Sequence, residues 1–217
     1  MTVTGTKNIR EICTSALRKI GVVSTDQAAT AVEIETAKDA LGRMLKHWQN
    51  YGFNVWTVAA QTVALGTSAG YTMLPVRPIQ VLSVRYNDGS TESPMTRLTR
   101  DEYDNLPDKT ATGRPSTWYY DRQRENAVLY VWPLMAGVSG ETLEITYQRE
   151  IDDADLTDVV DVPGEMYDAV IYGLASNLTD DFMVNAPQVV ARAEILKREA
   201  LAFDREGSVF FAGPNAG

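Results

Sequence analysis

The chain has 217 residues, 44% of them hydrophobic and 23% charged, with 20 Lys and Arg against 29 Asp and Glu for a formal net charge of -9. This is the composition of a globular protein, long enough for one large domain or two small ones around a sizeable core. The single Cys13 excludes a disulfide framework and a cysteine zinc site, the single His47 removes most histidine-dependent chemistry, and the acidity disfavours wrapping DNA through phosphate neutralisation.

The first residues, Met1 to Lys7, contain no apolar run, so no secretory leader is expected. Ile9, Ile12, Cys13, Ala16, Leu17 and Ile20 then repeat at helical spacing, and Gly21 stands where a left-handed cap residue ends a helix. A second helix is expected to open near Ser24, Thr25 and Asp26. Its stripe is Ile34, Ala37, Leu41, Met44, Leu45 and Trp48, with Gly52 as a stop. Two helices joined by so few residues form an antiparallel hairpin. The uncharged stretch from Trp48 to Val76 is broken by Asn50, Gly52, Asn54, Gly66, Gly70 and Pro75, so it cannot be a bilayer-spanning helix.

Beyond Gly52 the period changes to that of strands. Val55–Leu65, Tyr71–Leu74 and Val81–Tyr86 are extended, and Asn87-Asp88-Gly89-Ser90 is a hairpin turn. Thr99–Leu106 reads as a short helix ended by Pro107. Trp118–Asp121 and Ala127–Trp132 form a second hairpin, and Leu143, Ile145 and Tyr147 alternate with polar residues. Helical spacing returns after Pro163 with Met166, Ala169, Val170, Gly173, Leu174, Leu178 and Phe182. Asn185-Ala186-Pro187-Gln188 reads as a capping box opening a last helix through Val189, Ala193, Leu196, Ala200 and Phe203 to a stop at Gly207. The expected fold is α+β: a helical bundle built from the N-terminal hairpin and the C-terminal pair, with an antiparallel β module inserted. The boundaries are 1–52 and 151–206 for the bundle, 53–150 for the module and 207–217 for a C-terminal tail.

Candidate chemistry is sparse. Gly66-Thr67-Ser68-Ala69-Gly70 matches the G-x-S-x-G elbow, but the only histidine precedes the serine and a strand follows, so a two-glycine hairpin turn is the better reading. The acidic run Asp152, Asp153, Asp155 and Asp158 fails the EF-hand template, because starting at Asp153 the glycine and glutamate places hold Asp158 and Gly164. It reads as a solvated linker that repels nucleic acid. Trp118, Tyr119, Tyr120, Tyr130 and Trp132 read as sheet packing before base or sugar stacking. No metal site and no cofactor is expected. In the tail, Val209, Phe210, Phe211 and Pro214 cannot form a stable local structure, so the two phenylalanines either fold back near Phe203 or dock into another chain.

Four blocks, "IREICTSALRKIGVVS", "LGRMLKHWQNYGFNVWT", "GRPSTWYYDRQRENAVLYVWPLMA" and "LEITYQREIDD…DVPGEMYDAVIYGLASNL", together resemble head-to-tail adaptor proteins of short-tailed bacteriophages. This group includes tail tubular protein A and the packaged-DNA stabilisation proteins. The resemblance covers about residues 7 to 205 and rests on the order of hydrophobic anchors and turns. It implies a non-enzymatic virion protein, made in the host cytoplasm and placed at the head-tail interface. Such a protein is a homo-oligomeric ring of twelve subunits beneath the portal protein. It seals the genome, carries the tail nozzle protein, and leaves an axial channel for double-stranded DNA that passes without sequence-specific binding and without contact with a membrane. It also implies that the tail grips the portal. Asp152, Asp153, Asp155 and Asp158 are then candidates for the channel wall, where like charge lets the duplex slide. Two alternatives stand beside it: another phage neck or tail-completion protein, and a hydrolase using a carboxylate pair.

Overall fold

A computed structural model describes residues 6–50, 55–72, 77–124, 127–137, 140–152 and 155–203. The chain divides into two compact units, residues 1–56 with 151–217, and residues 57–150.

In the first unit, the apolar stripe of the opening segment becomes α1 (Ile9–Lys19), with Ile12, Cys13, Ala16 and Leu17 fully buried. Asn8 caps it in a reciprocal box. Its side chain accepts from the Glu11 backbone N–H at 2.8 Å, while the Asn8 N–H donates to the Glu11 carboxylate at 3.0 Å. Gly21 follows with φ +78, a conformation that favours glycine. α2 (Ala31–Asn50) starts later than the cap candidates Ser24, Thr25 and Asp26 predict. Thr30 and Glu33 form the capping box, the Thr30 N–H donating at 2.7 Å and the Thr30 hydroxyl oxygen accepting at 3.3 Å. The Ser24–Asp26 region is instead a turn in which the Gln27 N–H donates to the Ser24 carbonyl. Cap-type residues stand at both places, but only Thr30 has a glutamate three residues on (Gln27 being an amide) and immediately precedes the first helical residue, Ala31.

α4 (Tyr167–Asp181) is the central helix and packs on α1, α2 and α5 (Pro187–Phe203). Nine of its residues are buried, which is why its apolar positions run nearly all round. A 3₁₀ turn over Gly164–Met166 precedes it, so Pro163 leads into that turn and not into the α-helix itself. Pro187 is the first residue of α5, as its fixed φ favours. Ala186 therefore holds the cap position expected of Asn185, and the carbonyl of Ala186 accepts from Val189 and Val190.

The second unit holds two four-stranded sheets. One has the order β1 (Val58–Ala64), β8 (Thr142–Gln148), β3 (Gln80–Asn87), β4 (Glu92–Pro94). The other has the order β2 (Gly70–Thr72), β7 (Val128–Trp132), β6 (Thr117–Asp121), β5 (Thr96–Arg97). Their inner faces share one core, with Val81, Val84, Leu143 and Ile145 from the first and Trp118, Leu129 and Val131 from the second. The hairpin at Asn87–Ser90 forms as expected, with Asn87 opposite Glu92, and β6 and β7 pair antiparallel with Asp121 opposite Val128, while part of the Arg122–Asn126 connection lies outside the described residues. Two expectations are corrected. Gly66–Gly70 is not a hairpin turn: β1 pairs with β8 and β2 with β7, so this segment carries the chain from one sheet to the other. The module is also not wholly antiparallel, since β5 pairs with β6 in parallel. α3 (Arg100–Asp104) lies between these two strands in sequence, capped by Thr99 and Glu102.

Candidate assembly surfaces

The acidic linker is held by α1. The backbone N–H groups of Ile9 and Arg10 donate to the carbonyls of Asp158 and Leu156, both at 3.0 Å. These are among the first N–H groups of the helix, which have no partner within it. Within the linker, the Asp158 carboxylate accepts from the Asp155 N–H at 2.9 Å and the Asp161 carboxylate from the Asp152 N–H at 3.2 Å. The carboxylates thus shape the loop's own backbone.

Asp152, Asp155, Asp158 and Asp161 of the linker line a groove of about 510 Å³ together with Lys38, Asp39, Arg43 and Lys46 of α2. Lys38 Nζ lies 3.4 Å from Asp155 Oδ1, with the Asp155 side chain 86% exposed. At that exposure the contact is worth at most about 1 kcal/mol. Asp153 falls outside the described residues, as do Val209, Phe210, Phe211 and Pro214. Sequence reasoning missed the α2 cations; Lys38, Arg43 and Lys46 share neither a motif nor a stripe with the linker, and only tertiary packing brings them beside it.

No group of three or more potential metal ligands occurs among the described residues. Cys13 is buried in the bundle, which pushes its thiol pKa up to about 12 and leaves it inert. The G-x-S-x-G letters join two strands, so the strand-to-helix turn that exposes a nucleophile does not form there. Asp88, Glu102 and Asp108 are held below the usual carboxylate range by turn and cap hydrogen bonds, chiefly from the Thr91 backbone, the Thr99 backbone and the Thr110 hydroxyl. A general acid requires the opposite shift.

The aromatic run alternates as sheet packing demands. Trp118 points inward and donates its Nε1 proton to the Met95 carbonyl at 3.3 Å, and the Tyr120 hydroxyl donates to the Pro78 carbonyl at 2.6 Å. Tyr119 and Tyr130 meet Tyr103 of α3, with ring centroids 5.2, 5.3 and 6.1 Å apart. Lys109 lies over Tyr103 at 4.8 Å and Arg100 over Tyr119 at 5.8 Å. These faces pack α3 on its sheet.

No helix among the described residues is long and apolar enough to cross a membrane. Comparison with curated proteins finds no match. Among solved structures, a chain in the virion of a native gene transfer agent particle is 16% identical, over 90% of this chain and 92% of that one, with a TM-score of 0.31. A second, from the neck of an empty gene transfer agent particle, is 12% identical over 76% and 77%, with a TM-score of 0.29. The SU10 adaptor protein family matches over residues 7–208, and on that span the chain belongs to this family of structural phage head-tail adaptors, which are not enzymes.

Proposed function

We propose that this chain is the ring-forming head-to-tail adaptor of a short-tailed bacteriophage. Twelve copies sit beneath the portal, retain the packaged genome, carry the tail nozzle and surround the path of the ejected DNA. The observation that supports this reading is the family match, which spans residues 7–208 and so takes in both compact units. The acidity suits a conduit and is concentrated in one unit: residues 57–150 hold nine Lys and Arg against eleven Asp and Glu, the rest of the chain eleven against eighteen. Asp152, Asp153, Asp155 and Asp158 contribute negative charge to a surface that does not retain the duplex, because phosphates find no net cation field there. Val209, Phe210, Phe211 and Pro214 dock on the portal, where a weak contact repeated around a ring gains through avidity.

Counting copies in native particles tests the ring: twelve per particle are expected, and one or two would refute it. Deleting residues 208–217 tests the tail. Portal attachment should be lost with the melting temperature unchanged, and unchanged attachment would refute the docking role.

A further inference from the structure

The β module has four sheet edges, and they differ in kind. β4 ends in Pro94, which has no N–H, and its Glu92 is ion-paired to Arg85 at 3.0 Å. β5 is two residues long and carries Arg97. Both have the features that keep an edge from pairing with another chain. β1 has none of them: Val-Ala-Ala-Gln-Thr-Val-Ala is seven residues long, uncharged and free of proline.

The direction of its free backbone groups follows from the register. Leu65 donates to the Glu141 carbonyl and Arg149 to the Thr57 carbonyl, both at 2.9 Å, and β1 pairs in the same register throughout, Val58 opposite Gln148 to Ala64 opposite Thr142. Odd-numbered residues of β1 therefore exchange bonds with β8. Val58, Ala60, Thr62 and Ala64 turn their N–H and C=O groups outward, and their side chains are exposed. Among the described residues no strand pairs with that outer side.

β2 is the second uncharged edge. Val131 donates to the Ala69 carbonyl at 3.0 Å and Gly70 lies opposite Tyr130, so Gly70 and Thr72 turn their backbone groups outward. A Cβ on Gly70 would stand 2.8 Å from Val128 Cγ1 and 3.1 Å from Tyr130 Cε1. Packing thus keeps bare backbone at this edge.

We propose that the outer edge of β1 in one copy pairs with the outer edge of β2, which no other strand covers among the described residues, in the next copy. This deepens the ring reading and rests on it. The two edges belong to different sheets, so the contact is heterologous: each copy offers one edge to each neighbour, and the contact repeats until rotation closes it. Self-pairing of β1 about a twofold axis would use up the same groups and stop at two copies. The row between copies is uncharged on both sides, so no like charges oppose its approach.

The test uses the full chain mixed with portal rings of the same phage, observed by electron microscopy and native mass spectrometry. Ala60→Lys places a charge on the outer edge, and Ala60→Pro removes an N–H that β8 does not use. Both variants should keep the melting temperature of the parent chain and lose ring closure. Rings that form normally with both overturn the edge pairing while leaving the ring reading intact. Parent chains that form no ring overturn both. A short bismaleimide adds the geometry, with buried Cys13 silent. A mixture of Ala60→Cys and Ser68→Cys chains should cross-link between the two variants on the ring. Cross-linking of Ala60→Cys chains to themselves, with none in the mixture, means twofold β1 pairing and overturns the proposal.

Discussion

Replacing Gly173 by alanine puts a methyl group where α4 meets α2. The added Cβ would stand 2.5 Å from Trp48 Cζ2, 2.7 Å from Trp48 Cη2 and 3.1 Å from Met44 Sδ. Contacts under 3 Å force something to move. Trp48 is only 6% exposed, its indole cannot shorten, and Lys197 covers its ring at 5.6 Å. On propensity alone, alanine in a helix gains about 1 kcal/mol over glycine. Overpacking a well-filled core costs about 1–3 kcal/mol, and a collision with a rigid ring belongs at the upper end. The net expectation is a loss of about 1–2 kcal/mol, a fall in Tm of roughly 2–8 °C for a chain of this size. Thermal melting followed by circular dichroism, together with urea titration, measures it. Trp48→Phe removes the colliding atoms, so a double-mutant cycle should show Gly173→Ala costing less in the Trp48→Phe background by at least about 0.5 kcal/mol. A Gly173→Ala chain that melts at or above the parent temperature would refute the close approach of α2 and α4.

The other predictions are smaller. Asn8→Ala removes the acceptor half of the α1 capping box and should lower stability by about 1 kcal/mol in urea titration; no change would mean that the linker carbonyls alone set the start of the helix. Cys13 should resist a thiol reagent at pH 8 in the folded chain and react at once in denaturant, and fast reaction without denaturant would contradict its burial. Asp88 has a folded pKa below its ordinary value, so its stabilising effect is complete above the unfolded-state value near 4 and is lost as pH falls through the lower folded value. Asp88→Asn should therefore flatten the dependence of Tm on pH between about 5 and 2, and equal slopes in both chains would reject the turn as its origin.

Legibility differed from element to element for physical reasons. The buried stripes of α1, α2 and α4, the Asn87–Ser90 turn and the alternation of β6 to β8 follow from local periodicity and turn chemistry. These depend on neighbours within a few residues, so the amino-acid sequence determines them by itself. The α+β class follows in turn, because two amphipathic helix pairs need each other's apolar faces and the strand-patterned middle stands between them. Other features depend on which distant segments meet. The late start of α2 was decided by a reciprocal Thr30–Glu33 cap in competition with Ser24. Trp48 and Gly173 are a contact because α2 crosses α4, and Lys38 faces Asp155 because the linker is tied to the first turn of α1. Gly66–Gly70 has the letters of a hairpin turn, yet it links two sheets. Strand pairing is set by the β1–β8 and β2–β7 registers across the module, and backbone hydrogen bonds carry no signature in the side chains that make them. The outer edges of β1 and β2 are visible only in the tertiary structure for the same reason: any strand has outward groups, and only the completed sheet order shows which of them no other strand covers among the described residues.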